Sequence, residues 1–189
     1  MIIGITGKSG VGKSNISKLI KKFGDNFEYI DFDSIGHQTL DDKEVQKVIK
    51  ERLKIEVSST NRKKLADLIF NSHKTSFDVA LVSTLMWRKM KEIIDEKISD
   101  NSKNYAFDWI LLPKTHYFEF CDIKILVVPA NDKIRKVAVR NRDLLSKKDL
   151  KLRDKAAIEY NENDFDFIIK NNYSLDHSNK ILYNLVYKR

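Results

Sequence analysis

Gly7, Gly10, Gly12, Lys13 and Ser14 fall in the run Gly7-Lys8-Ser9-Gly10-Val11-Gly12-Lys13-Ser14, directly after the apolar stretch Ile2 to Thr6. The run satisfies G-x-x-x-x-G-K-[ST], the pattern of a loop that cradles phosphate groups. Glycines allow a backbone that turns tightly and approaches a ligand closely, so that successive N–H groups and the start of the next helix face anionic oxygens. In such a loop Lys13 reaches the β- and γ-phosphates and the Ser14 hydroxyl ligates Mg²⁺. The candidate nucleotide contacts are therefore Gly7, Lys8, Ser9, Gly10, Val11, Gly12, Lys13 and Ser14. The pattern needs a strand before it and a helix after it. Ile2 to Thr6 supplies the first, and the helical spacing of Ile16, Leu19, Ile20 and Phe23 supplies the second, ending at Gly24.

A chain of 189 residues with 42% hydrophobic content can bury one good core with an insertion or lid. The single Cys121 excludes an internal disulfide, and no Cys/His cluster has zinc spacing. The first apolar run is too short for a secretory signal and runs straight into the loop, and no stretch approaches membrane-spanning length. A cytoplasmic protein without a membrane partner is expected. The net charge of +8 comes from Lys and Arg spread over the whole chain, which reads as a solvated basic surface rather than a specific nucleic-acid site.

Carboxylates supply the second constellation. Phe27-Glu28-Tyr29-Ile30-Asp31-Phe32-Asp33 alternates apolar and acidic residues, which predicts a strand ending near Asp33 with Asp31 and Asp33 on one face. Ligands collect at the carboxyl ends of parallel strands, so Asp33 could accept the proton of an attacking hydroxyl. A cap on a helix starting at Ser34 accounts for Asp33 equally well. Asp108 ends a third apolar run; it fits either water-mediated Mg²⁺ binding or a structural salt bridge.

After Pro129 the sequence becomes basic. Lys133, Lys136 and Arg140 share one helical face, with Arg135 and Arg142 on another. Ser146 and Asp149 form an S-x-x-D start signal for a following helix, giving a hairpin with a basic inner side. Arginines there could clamp a phosphoryl group in transfer, whereas a solvated basic helix is the plainer alternative. Between Asp41 and about Asp100 the periodicity is helical throughout, and its apolar stripes read as core.

Read together, these segments resemble the dephospho-coenzyme A kinase family. Asp31-Phe32-Asp33-Ser34-Ile35-Gly36-His37 is similar to its D-x-D-x-I-x-H segment, and Arg62 to Phe70 to its R-x-x-L-x-x-x-V-F helix. Phe107 to Leu112 resembles a D-x-P-L-L strand end, and Asp166-Phe167-Ile168-Ile169-Lys170-Asn171 a D-x-V-I-x-N strand. The likeness covers nearly the whole chain. It implies an α/β, three-layer P-loop kinase fold, with a five-stranded parallel sheet, a helical insertion and a helical lid. The nucleotide core would comprise residues 1–40, 101–130 and 164–189, the acceptor-binding insertion 41–100 and the lid 131–163. An amphipathic helix carrying Leu175, Ile181, Leu182, Leu185 and Val186 would close the chain.

The activity implied is phosphorylation of the 3′-hydroxyl of dephospho-coenzyme A by ATP with Mg²⁺, in a monomer or small homo-oligomer acting on small molecules. The resemblance implies Asp33 as base, with Lys13 and Arg140 stabilising charge. Arg62 and Lys64 would bind the acceptor, Arg140 and Arg153 would serve the lid, Asn171 would lie near adenine, and Ser14 and Asp108 would serve the metal. Several features depart from the pattern, among them Lys133 and Ala157, which fall roughly where the family has glutamines. Lys8 replaces the second glycine of the loop. No His-Pro pair follows the R-x-x-L helix, where the count reaches about Thr84-Leu85. P-L-L-F-E reads as Ile110-Leu111-Leu112-Pro113-Lys114. A nucleoside or nucleotide kinase on the same scaffold, and a degenerate relative that binds nucleotide without this activity, remain open alternatives. A GTPase is disfavoured because no N-K-x-D guanine motif follows.

Overall fold

A computed structural model of the chain describes residues 1–20, 26–62, 64, 65, 68, 77–143, 146, 147, 150, 151, 154 and 157–174. The expected helix end at Phe23 and Gly24, Asp149, Arg153 and the closing helix from Leu175 onward lie outside the described residues. The chain divides into two compact units, Met1–Ile30 with Asn101–Arg189, and Asp31–Asp100. Residues 31–40, expected with the core, thus belong to the second unit, and residues 131–163 to the first.

The first unit is built on a five-stranded sheet of order β2-β3-β1-β4-β5. β1 is Ile2–Thr6, β2 Phe27–Asp31, β3 Asn104–Asp108, β4 Ile123–Pro129 and β5 Phe167–Asn171. β1 runs parallel to β3 and to β4, and β4 parallel to β5. Parallel strands covered on both faces need apolar residues on both sides. β1 is buried on both, with Ile3 and Ile5 on one face and Gly4 and Thr6 on the other. Helix α1, Lys13–Ile20, begins where Asn15 and Ile16 donate to the Gly12 carbonyl, and lays Ile16, Leu19 and Ile20 into the core that Ile3, Ile5, Ile125 and Val127 share. The sheet order puts β1 in the centre, so the loop after β1 leaves the middle of the carboxyl edge, where ligands of α/β sheets collect.

The second unit is largely helical, as its periodicity predicts, but residues 54–62 lie outside any helix, against the expectation of helix throughout. α2 is Phe32–Gln38, α3 Lys43–Leu53 and α4 Phe77–Lys97. Leu40, Val45, Ile49, Val57, Leu65 and Val82 form its core. Asp42 caps α3 by accepting from the Glu44 and Val45 amides, and α4 is tied to it by Arg88 and Lys89, each paired with Glu44.

One local expectation is overturned. β2 stops at Asp31, and Asp33 lies in the first turn of α2 rather than on the strand. Asp31 caps that helix by accepting from the Ser34 amide at 3.1 Å. Capping by an acid satisfies an otherwise orphaned N–H, and this local bond outweighs continued alternation. The two acids therefore do not share a strand face, and the capping role considered for Asp33 is performed by Asp31.

Candidate active site

The phosphate loop owes its shape to three residues with left-handed backbones, Gly7 at φ 146°, Gly10 at φ 79° and Gly12 at φ 90°. Space is restricted at each. A Cβ on Gly7 would meet the Val127 carbonyl, one on Gly10 the Val139 side chain, and one on Gly12 the Asn171 amide. Lys8 is not among the residues at positive φ, so the loop needs no glycine where this chain departs from the family pattern.

Consecutive carbonyls of the loop are held from outside. Ser9 O accepts from Arg135 at 3.2 Å, Gly10 O from the Tyr173 hydroxyl at 3.0 Å and Val11 O from Asn171 Nδ2 at 2.8 Å. In a planar trans peptide the C=O and the next N–H point in opposite directions. Fixing these oxygens outward thus aims the following amides toward the other side of the loop, as an anion cradle requires. Asn171 is buried with its amide committed to the loop and its oxygen accepting from the Tyr173 amide at 2.9 Å, so what the structure displays for it is a brace.

Lys13 arches back over the loop, with Nζ 3.0 Å from Gly7 O and 3.4 Å from Lys8 O. In the first turn of α1, Ser14 Oγ donates to Asp108 Oδ2 at 3.0 Å, and the Tyr29 hydroxyl donates to the same oxygen at 2.9 Å. Asp108 is buried at the end of β3. Beside it Thr6 donates to Trp109 O at 2.7 Å, and Tyr160 donates to Ile110 O at 3.0 Å. Burial pushes the Tyr160 phenol up to about 12, against the lowering effect of its hydrogen bonds with Thr6 and Gly7.

Helix α5, Asp132–Asp143, packs against the outer turn of the loop through Arg135, Val139 and Arg142. The face assigned to Arg135 and Arg142 from spacing is thus the loop-facing one. Lys133 and Lys136 are exposed, and Lys136 pairs with Asp132 at 2.7 Å. Arg140 is half-buried, and its Nε is enclosed without a hydrogen-bond partner among the described residues. Buried guanidinium nitrogens are normally satisfied, so this one is suited to an incoming anion.

In the second unit Asp33 is exposed on α2. Burial and then the Arg62 charge hold the His37 imidazole below its ordinary value, opposed by Asp33 and Asp31. Arg62 and both acids thus lie within electrostatic reach of one imidazole. Arg62 is exposed and touches Ser59 O only at 3.5 Å, and Lys64 is exposed as well. At the position of the absent His-Pro pair, Thr84 lies inside α4 and donates to Ala80 O at 2.9 Å. Leu112–Lys114, where the family's P-L-L-F-E would end, forms a short 3₁₀ turn anchored by buried Leu112. Sequence reasoning missed Tyr29, Tyr173, Tyr160 and the burial of Arg135. Each acts on a residue distant in the chain, and none carries a local motif.

The model of the dephospho-CoA kinase family matches residues 1–177 of the chain. The chain belongs to the dephospho-CoA kinase family. The dephospho-CoA kinase of Borreliella burgdorferi is 31% identical over 140 residues, 72% of this chain and 65% of that relative. The dephospho-CoA kinase of Fusobacterium nucleatum is 28% identical over 183 residues, covering 93% of this chain and 92% of its own. In three dimensions the chain is similar to the dephospho-CoA kinase of Campylobacter jejuni, with a TM-score of 0.64 at 22% identity over 97% of this chain and 96% of the other. The five-stranded α/β architecture is thus that of P-loop kinases, and family membership makes the chain a phosphotransferase. No helix of the described residues is long and apolar enough to cross a membrane.

Proposed function

We propose that the chain transfers the γ-phosphoryl group of ATP to the 3′-hydroxyl of dephospho-coenzyme A, using the braced loop and Arg140 for charge and Asp33 for the proton. A bond forms between the acceptor oxygen and the γ-phosphorus while the bond from that phosphorus to the β–γ bridging oxygen breaks. The acceptor proton goes to the Asp33 carboxylate. Lys13 and Arg140 counter the charge that spreads over the transferring oxygens. Arg62 and Lys64 hold anionic groups of the acceptor, and the amides aimed by Arg135, Tyr173 and Asn171 hold the nucleotide phosphates.

The residues also suit a divalent cation. Ser14 Oγ and Asp108 Oδ2 stand 3.0 Å apart at the start of α1, a hard all-oxygen donor pair. Among the described residues no cluster of His, Cys, Asp or Glu could cage a metal by itself. That suits Mg²⁺, which is held by one or two protein oxygens together with substrate phosphates. When bound, it would neutralise charge on the β- and γ-phosphates.

The observation that carries this reading is the loop itself, with its carbonyls fixed outward and Lys13 and Ser14 at its end. The deciding experiment is phosphate transfer from Mg·ATP to purified dephospho-coenzyme A, with the product identified by mass and Lys13→Ala as the blank. Product formed only by the wild type is expected. No product from a protein that still binds ATP would direct the assignment to another acceptor or to a nucleotide-binding role without catalysis.

A further inference from the structure

Arg135 is the largest fully buried side chain among the described residues, and it sits on α5 rather than in the sheet core. Burying a guanidinium is costly unless its donors are satisfied. Here its Nε donates to Asp132 at 2.6 Å, and its two terminal nitrogens donate to Asp154 at 3.0 and 2.6 Å. The nitrogen that meets Asp154 at 3.0 Å also donates to the Ser9 carbonyl at 3.2 Å. The bidentate pairing uses the planar fork that only arginine offers. One side chain thus connects three segments: the phosphate loop, the first helix after β4 and the chain that follows that helix.

Two further contacts fix the same junction. Val139, one turn on from Arg135, occupies the space beside Gly10, and Arg142 donates to Ser9 Oγ at 3.1 Å. The loop-facing edge of α5 is therefore seated on Ser9 and Gly10. The Ser9–Gly10 peptide is rigid and planar, so an oxygen held by Arg135 determines where the Gly10 N–H points.

We propose that Arg135, clamped by Asp132 and Asp154, is a positioning residue for phosphoryl transfer that sets the Gly10 amide toward the nucleotide phosphates and joins α5 and Asp154 to the phosphate loop. The proposal rests on the nucleotide occupying this loop. It assigns Arg135 no contact with substrate, which distinguishes it from Arg140. It also assigns Asp154 a role in nucleotide affinity, although that carboxylate belongs to neither the loop nor the metal pair.

The test separates positioning from mere support of the fold. Arg135→Met alone leaves Asp154 without its cation, and loss of folding in that variant carries no information about the loop. In Arg135→Met/Asp154→Leu the pair is replaced by apolar groups, a change that commonly preserves or raises stability. We expect the double variant to melt near the wild type yet to bind ADP about tenfold more weakly, the order of one lost charge-assisted hydrogen bond. The KM for ATP should rise with it while the KM for the acceptor stays unchanged. Arg135→Lys, which keeps a charge beside Asp154 but lacks the fork, should show the same split and decides the question if the double variant does not fold. Wild-type ADP affinity in either folded variant would overturn the proposal. Failure of the kinase reading would appear differently, as the same loss of ADP affinity in the variants but no transfer to dephospho-coenzyme A by the wild type itself.

Discussion

Ser14 Oγ and Asp108 Oδ2 are joined by a 3.0 Å hydrogen bond across 94 positions of sequence, and the carboxylate oxygen they share it through also accepts from Tyr29. β3 ends where α1 begins because β1 lies between β3 and β4 and pairs with β3 up to Ile5 and Asp108. A serine hydroxyl and an acid thereby stand together where the β- and γ-phosphates are expected. Asp108→Asn keeps the size and one acceptor oxygen but removes the charge. We expect its apparent Mg²⁺ affinity to fall by about 10- to 100-fold, the usual cost of losing a partner around a metal site. Titrating turnover with Mg²⁺ at fixed ATP checks this, and an unshifted midpoint would remove Asp108 from the metal pair. Tyr29→Phe should shift the midpoint in the same direction and by less.

Arg140 and Asp33 are assigned to chemistry rather than to the fold, and their variants should behave accordingly. Arg140→Met relieves a guanidinium nitrogen that is enclosed without a partner among the described residues. Its stability should hold or improve, while kcat falls by about 100-fold or more, the order seen when one charge-stabilising donor is lost. Asp33→Asn removes the proposed proton acceptor from an exposed position on α2, so the melting temperature should hardly move. Turnover should fall by about 100- to 10,000-fold with ADP binding intact. Single-turnover rates and an ADP titration on each variant check both assignments. Near-normal turnover of Asp33→Asn would require a different base.

Much of this arrangement can be read from residue order, and the reasons for the remainder are physical. The loop is legible because its chemistry is local: three glycines, Lys13 and Ser14 lie within eight positions. The strands are legible because burial on both faces demands unbroken apolar runs. β2 ends two residues before the point to which alternation runs, because alternation continues through Asp33 while a cap on Ser34 N is worth more than another strand pair. Helical spacing separated Arg135 and Arg142 from Lys136 and Arg140, but it could not show which face meets the loop. That depends on Ser9, 126 positions away from Arg135. Tyr173 was invisible for a similar reason: its use lies in a left-handed backbone at φ 65° and a hydroxyl that reaches Gly10 O.

The glycines yield a graded prediction. Gly10 and Gly12 both combine positive φ with an occupied Cβ direction, against Val139 and Asn171 respectively. Gly12→Ala presses on a buried amide that is bonded to the loop, whereas Gly10→Ala presses on an aliphatic side chain that can shift with α5. Overpacking of this kind costs about 1–3 kcal/mol, to which backbone strain adds. Thermal melts should therefore rank Gly12→Ala below Gly10→Ala, with ADP binding reduced in both. An Asn171→Ala/Gly12→Ala double variant should recover part of the stability and none of the affinity, because the Val11 carbonyl has then lost its donor.

Cys121 and Tyr160 predict how the protein responds to alkali. Burial raises the Cys121 thiol from its ordinary 9.0 to about 12, and Sγ donates to Tyr117 O at 3.3 Å. Burial also raises Tyr160 from 10.0 to about 12. Both groups are neutral when protonated, so the folded state holds its protons to higher pH than the unfolded chain does. Their contribution to stability is complete below pH 9, where the unfolded thiol begins to ionise. It is lost as pH rises toward 12, where the folded groups ionise in turn. Urea melts between pH 8 and pH 11 should show a midpoint that declines above pH 9. Tyr160→Phe and Cys121→Ala should each flatten part of that decline. At pH 8 the native thiol should resist a thiolate-selective reagent such as iodoacetamide, because thiolate is the reactive form, and should react readily once unfolded. Rapid modification of the folded protein would show that Cys121 is not buried against Tyr117 and Gly4, whose added Cβ would stand 2.6 Å from the sulfur.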